Sequence, residues 1–417
     1  MFQGKAWILL SLVVGSLVSC LPAEPPFECT DAIGCVEVAP GEPIKIGALQ
    51  ALSGDLSLQG AELLRCTELA LEDWGGDLLD HPIELQTADS MCSGEGGITA
   101  ALKVAADPKL VGLTGPSCSG AAASAMGVVS EAGLVMIAGS CSAPSLTSVG
   151  GEPGVDWQPG FLRTAQNDAQ VGRSAATFAF RILGVRDAAT IHDGDAYTRG
   201  LTDTFEQAFR ELGGEVVLAA TVNKGDTNMR PVLAAVAASG AELVFLPVFR
   251  MEGDYLVQQA VEVEGMKNAT LMTAEGLYFD AFLQSVGEAG VGMYFTAPMR
   301  PEGPAYDTFV SRYETRYGEP PAHTPYHAHM YDATNLLLTA IEAVAVQEDD
   351  GTLHIGRQAL RDALYATSGY EGLTGSLTCD QHGDCGVARF KVVRLDDPAA
   401  GFAGLEANVV YAYPPEP

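Results

Sequence analysis

The sequence predicts an α/β protein of two similar lobes, each a parallel sheet flanked by helices. Three observations carry that prediction. Short, continuous apolar runs, the mark of strands buried on both faces, alternate with longer stretches of helical period. The alternation runs from Ile44 to about Arg163 and again from Ala188 onward, without detectable sequence repetition. At 417 residues the chain exceeds one ordinary domain and is long enough to bury two cores.

Residues 1–20 read as a lipoprotein signal peptide. Lys5 supplies the positive start, and Ala6 to Val18 an apolar core too short to span a bilayer comfortably. Its end, Leu17-Val18-Ser19-Cys20, resembles the lipobox of bacterial lipoproteins, which implies cleavage before Cys20 and a lipid on that cysteine. The protein would then be extracytoplasmic, held to the periplasmic side of a membrane or to the cell surface. Residues 21–43 are rich in Pro and Glu, lack a sustained apolar period, and read as a tether.

The first series opens with a strand at Ile44–Leu49, a helix from about Gly60 to Trp74, a strand at Ile83–Thr87 and a helix from about Gly97 to Ala106. Two apolar runs follow, Leu110–Leu113 and Leu134–Ala138. Each ends in a small, hydroxyl-rich turn: Gly115-Pro-Ser-Cys-Ser-Gly120 and Gly139-Ser-Cys-Ser-Ala-Pro144. Ligands of open α/β sheets bind outside the carboxyl ends of the strands. Ser119 and Ser142 fall where helix N-caps would sit, so their hydroxyls and the free N–H groups behind them make a site for a small carboxylate.

In the second series Ala188–His192, Val216–Ala220, Leu243–Val248 and Ala269–Thr273 read as strands. Between them Gly200–Leu212, Met229–Ala238 and Tyr255–Val263 read as helices. The C-terminal part returns mostly to helix, at Tyr306–Tyr317, about Tyr331 to Val346 and Gly356–Ala366, before a short β region at Gly386–Val393.

Charge narrows the function. Lys and Arg number 23 against 53 Asp and Glu, a formal balance of -30 that repels nucleic acid and anionic lipid. The nine cysteines suit an oxidising compartment, because setting Cys20 aside leaves an even eight. Proximity pairs Cys29 with Cys35 and Cys379 with Cys385; spacing alone leaves Cys66, Cys92, Cys118 and Cys141 open.

Taken together, these features resemble the substrate-binding proteins of branched-chain amino-acid ABC importers, the leucine/isoleucine/valine-binding family with the type I periplasmic binding fold. The residues that carry the likeness run in order from Ile46-Gly47-Ala48 and Leu52-Ser53-Gly54 through Gly115-Pro-Ser-Cys-Ser119, Met136-Ile137 and Ser142-Ala143-Pro144. Beyond these come Phe161-Leu-Arg-Thr164, His192-Asp193 with Tyr197 and Gly200, Ala274-Glu275-Gly276, and Leu373-Thr374-Gly375. The resemblance implies two lobes joined by three crossovers near Thr164, Ala297 and Ser376: residues 44–164 with 298–376, and 165–297 with 377–417. It further implies a small amino acid, branched-chain or aliphatic, held between the lobes of a monomer and delivered to ABC permease subunits, with no cofactor.

By the same resemblance Ser119, Ser140 and Ser142 face the ligand carboxylate, and Glu275 with Tyr197 the ammonium. Phe249 stands where relatives place a ligand-contacting tyrosine, and Gln59 where an aromatic flanks the ligand side chain. Cys92 and Cys118 match a family disulfide, which by elimination pairs Cys66 with Cys141. The chemistry agrees with the likeness: a zwitterion needs donors at one end and an anionic acceptor at the other, since buried charge is tolerable only when paired.

Other readings lack their signals. There is no Gly-x-Ser-x-Gly elbow, phosphate loop or Gly-x-Gly-x-x-Gly after a strand, so the chain does not read as an enzyme. His323, His327 and His329 stand in a Pro-rich setting, with no carboxylate near in sequence before Asp332, and read as a helix start or surface rather than a metal site. His192-Asp193 reads as a strand-end turn. The alternative is a ligand sensor, or a binder of amides, urea or other small carboxylates, because the same two-lobed fold closes around those ligands too.

Overall fold

The structure is a computed structural model that describes residue 1 and residues 27–413. The signal segment, Cys20 and the first part of the tether lie outside the described residues. Two sheets dominate. The first orders its strands Asp77–Leu78, His81–Asp89, Ile44–Gln50, Leu110–Thr114, Met136–Ala138 and Phe161–Arg163, all parallel apart from the short first one. The second runs Glu215–Thr221, Asp187–His192, Leu243–Phe245, Thr270–Thr273 and Tyr294–Pro298 in parallel, then Phe390–Arg394 and Val409–Tyr413 antiparallel.

Both faces of each sheet are covered, which is why the strands read as unbroken apolar runs. In the first lobe Ile44 and Ile46 pack with Leu63, Leu337 and Ile341 on one face, while Leu49 and Leu113 pack with Ala125 and Met126 on the other. In the second, Ile191 and Val244 meet Leu233 and Leu256, and Phe245 meets Phe205 and Phe209 across the sheet. The result is two α/β lobes, each a sheet with helices on both faces, as the sequence predicts.

Residues 27–43 depart from the tether reading. Cys35–Val38 pairs antiparallel with Leu353–Gly356, Val36 and Val38 are buried in the first core, and Phe27 stacks on His354 at 4.0 Å. Four residues of alternating pattern between prolines were too short a signal to separate from a spacer.

The chain passes between sheets after Arg163, after Pro298, and between Cys385 and Phe390. The third passage lies beyond Ser376, because the turn closed by Cys379 and Cys385 stays with the first lobe. Arg163 explains this placement. Its N–H donates to Gly383 O at 2.9 Å, its carbonyl accepts from Cys385 N at 3.0 Å, and its fully buried guanidinium meets Asp384 at 2.6 Å.

Disulfides Cys29–Cys35, Cys92–Cys118 and Cys379–Cys385 are formed. Cys66 and Cys141 are not joined, which corrects the pairing by elimination. Cys66 is in the core on one face of the first sheet and Cys141 in the core on the other. Burial pushes both thiols up, so they behave as small apolar side chains.

Candidate functional site

The site lies between the carboxyl ends of the two sheets. The strand Leu110–Thr114 turns at Gly115, whose φ of +93° and approach to Leu49 O, 2.0 Å from where a Cβ would stand, admit only glycine. The turn leads into the helix Ser119–Glu131. Cys118 rather than Ser119 holds the N-cap position, and its disulfide to Cys92 anchors the helix start. Ser119 is the first helical residue, and its hydroxyl accepts from Ala143 N at 3.2 Å. Ser140 donates to Ser117 O at 3.0 Å. The first lobe thus offers helix-start N–H groups and a ring of hydroxyls, a surface suited to an anion.

Ser142 does not cap a helix, since only a short 3₁₀ turn, Pro144–Leu146, follows it. Its carbonyl accepts from Asp168 N at 3.0 Å, and its buried hydroxyl is left without a partner. From behind, the Arg163 guanidinium donates to Cys141 O at 3.0 Å and Ala143 O at 2.6 Å, fixing the Ser140–Ala143 turn. A buried arginine at a strand end was in plain sight in Phe161-Leu-Arg-Thr164, yet its role depends on Asp384, which is remote in sequence.

Across the cleft, Glu275 follows the strand Thr270–Thr273 and is 6% exposed. Tyr326 donates to its Oε1 at 3.1 Å, while Oε2 is buried without a partner. Tyr197 stands in the first turn of the helix Ala196–Glu211, which Asp195 caps, and its hydroxyl accepts from Gly276 N at 3.0 Å. Phe249 lies 5.0 Å from the Tyr197 ring. Gln59, half-buried, lines the far end with Leu56, Leu63, Phe279, His323 and Pro325. Ser119, Ser140, Tyr197, Phe249, Glu275 and Gln59 therefore share one cavity, with Ser142 behind its wall.

Three residues of the same cluster, Asp168, Gln166 and Tyr326, escaped the sequence reading. Asp168 is fully buried and neither carboxylate oxygen has a partner. Burial and the nearby Glu275 carboxyl hold its pKa well above the usual range, while the Arg163 charge pulls the other way. Burial likewise brings Glu275 up to about 7 against the hydrogen bonds that favour its charge. Gln166 donates to Tyr326 OH at 3.0 Å and keeps a buried, unpartnered Oε1. Asn167-Asp168 reads as an ordinary helix start in sequence, and only the tertiary fold makes it a cleft carboxyl.

Of the histidines singled out in the sequence, His323 lines the cavity and the others are employed elsewhere. His327 opens the helix His327–Val344, but it and His329 are buried, which corrects the surface reading. His192 Nδ1 accepts from Gly194 N at 3.0 Å and Asp193 accepts from Thr198 Oγ1 at 2.5 Å, a strand-end turn. No group of three or more His, Cys, Asp or Glu suited to a metal occurs among the described residues.

The lobes touch at the rim. A Cβ on Gly120 would meet Asp195 Oδ2 at 2.4 Å, and one on Gly200 would meet Pro144 Cδ at 2.8 Å. Such an arrangement sequesters a small molecule with donors at one end and buried carboxyl groups at the other.

The family described as "Periplasmic binding protein" matches residues 43–400. The Leu/Ile/Val-binding protein homolog 3 of Brucella melitensis is 26% identical over 368 residues, 87% of this chain and 94% of that protein. A leucine-binding protein of Thermotoga maritima superposes with a TM-score of 0.73 at 21% identity, covering 85% of this chain and 96% of its own. A solute-binding protein of an R. palustris ABC transporter, solved with benzoate, gives 0.72 at 21% identity, covering 89% and 97%. No helix among the described residues is long and apolar enough to cross a membrane. With the fold, the cleft and this match in agreement, the chain belongs to the periplasmic binding protein family, among relatives of the Leu/Ile/Val-binding proteins.

Proposed function

We propose that this chain is the substrate-binding component of an ABC importer that captures a free amino acid with a small aliphatic side chain. The observation that carries the reading is the pair of buried carboxyl groups, Asp168 and Glu275, with three oxygens left unpartnered beside the cleft. A buried acceptor without a donor costs roughly 1–3 kcal/mol, and a ligand ammonium with three N–H groups relieves that cost. The first lobe supplies the complementary end, where the ligand carboxylate meets Ser119, Ser140 and the helix-start N–H groups. Leu56, Leu63, Phe249 and Phe279 then surround an aliphatic side chain, with Gln59 and His323 at its edge.

The benzoate-bound relative marks the competing ligand class, an aromatic acid without an ammonium. Two buried carboxyl groups oppose it, because an acid lacking a cation leaves them unpaired. On this reading the protein works outside the cytoplasm as a monomer, anchored through lipid on Cys20, and hands its ligand to permease subunits without chemistry. Calorimetric titration of refolded, ligand-stripped protein against the twenty amino acids, short amides and benzoate tests it. Binding of leucine, isoleucine or valine at about micromolar affinity, roughly 8 kcal/mol, is the expected result. Binding of benzoate or an amide with silence from every amino acid overturns it.

A further inference from the structure

At the apolar end of the cleft, a carboxylate is buried in the wall with no place in the binding scheme above. Glu62 lies in the helix Ser57–Asp73, is 1% exposed, and accepts three successive backbone N–H groups: Ala322 at 2.7 Å, His323 at 2.8 Å and Thr324 at 3.1 Å. Three consecutive N–H donors closing on one carboxylate form an anion nest occupied by the chain's own side chain. The nested segment is itself part of the cleft, since His323, Thr324 and Pro325 line it. So are Gln59 and Leu63, which flank Glu62 on its own helix. One buried group therefore joins two walls of the same subsite.

The other support of that wall is neutral. His327 Nδ1 lies 2.8 Å from Thr324 O, which can only accept, so Nδ1 carries the proton. Nε2 then accepts from Tyr306 OH at 2.7 Å, and that hydroxyl in turn accepts from Arg300 Nε at 3.0 Å. Burial holds His327 down to about 4, so its 3.7 Å approach to Glu62 is not an ion pair. The position of the 322–324 segment thus rests on the Glu62 carboxylate accepting all three N–H groups at once.

We propose that Glu62 is a positioning residue for ligand selection: it fixes the His323–Pro325 wall against the helix bearing Gln59 and Leu63, and so shapes the subsite for the ligand side chain without touching the ligand. The proposal rests on the amino-acid reading above. The carboxylate contacts on Ser119 and Ser140 do not pass through Glu62; Tyr326, which follows the held segment and donates to Glu275 at 3.1 Å, does connect to it, so the test compares two amino acids that share both charged ends.

The test compares leucine with alanine on the full-length protein and on Glu62→Gln, whose amide keeps one acceptor oxygen and turns an N–H toward a backbone donor. Leucine should lose about tenfold in affinity, the scale of one unsatisfied buried donor, while alanine stays within about twofold. Equal losses for both ligands, or no loss for either, overturn the role of Glu62. A wild-type protein that binds neither overturns the amino-acid reading itself.

If Glu62→Gln fails to fold, the ratio of leucine to alanine affinity is followed with pH in a protein that keeps Glu62. Burial brings Glu62 up to about 7. The groups facing it are Arg65 and Cys66 on its own helix, Tyr306 and Tyr313 from the helix Pro304–Tyr317, His327, and His323 in the wall. Protonation of Glu275 acts on both ligands and cancels in the ratio. The ratio should fall as the pH drops from about 8 to about 6; a flat ratio overturns the proposal.

Discussion

Asp168 and Glu275 are both buried and raise each other's tendency to stay protonated, and three of their four carboxylate oxygens have no partner. Two carboxyl groups this close in a dry site do not both ionise readily, since burial and mutual repulsion both favour the neutral form. On the proposed amino-acid reading, a ligand ammonium is the counter-charge that allows them to ionise.

The first prediction concerns Glu275→Gln. The amide cannot balance an ammonium, so affinity for an amino acid should fall by about 2–5 kcal/mol. The empty protein should melt no lower than wild type, because the substitution removes a buried carboxyl rather than a satisfied one. Calorimetry and a thermal melt on the same sample separate the two effects; unchanged affinity would remove Glu275 from the site.

The second concerns pH. Glu275 is raised from an ordinary value of 4.5 to about 7 in the empty fold, so folding favours its protonated form. That contribution to stability is fully present below about pH 4.5 and is lost as pH rises through about 7. Ligand affinity runs the opposite way, strengthening between about pH 6 and pH 8 because an ammonium needs the ionised carboxylate. Capture should release a proton, which calorimetry detects as a binding heat that differs between phosphate and Tris. Equal heats in the two buffers at pH 7 would contradict this.

Much of this was legible in sequence where the signal was local. Unbroken apolar runs such as Leu110–Leu113 gave the strands, and Ser119, Ser140, Tyr197, Phe249, Glu275 and Gln59 came from strand ends and a family likeness, and all line one cavity. What stayed hidden depended on distant partners. Asp168 looked like any residue beside a helix cap, and Glu62 like any charge on an amphipathic helix. Cys66 and Cys141 were left as a pair by elimination once the family disulfide was assigned, whereas a sheet stands between them.

A third prediction tests the crossing itself. Asp384 meets the buried Arg163, and also accepts from Thr147 at 2.9 Å and Asn167 at 2.9 Å. The Arg163 guanidinium beside it is the first of the groups that hold the Asp384 carboxyl below its usual range despite burial. Asp384→Asn leaves Arg163 without its counter-charge and should cost about 3 kcal/mol or more, read from denaturant melts. Because Arg163 also holds the Ser140–Ala143 turn, ligand affinity should weaken with it. A variant as stable as wild type would show that the backbone carbonyls alone satisfy the arginine.

The last prediction concerns the cysteines, and it follows from where each one lies. With Cys20 replaced by serine, the native protein should show no thiol reactive to a bulky aromatic disulfide, since Cys66 and Cys141 are both 0% exposed. Two thiols should appear on denaturation without reductant. Removing the Cys92–Cys118 bridge by a double serine substitution releases a loop whose ends are 26 residues apart in sequence. Chain entropy alone then predicts a loss of about 3 kcal/mol. The change should also weaken ligand binding, because Cys118 fixes the start of the helix whose first residue is Ser119. Serine variants of Cys379 and Cys385, which staple a turn outside the cleft, should lower the melting temperature with little effect on affinity. Equal losses of affinity from both pairs would mean that the disulfides act on binding only through global stability.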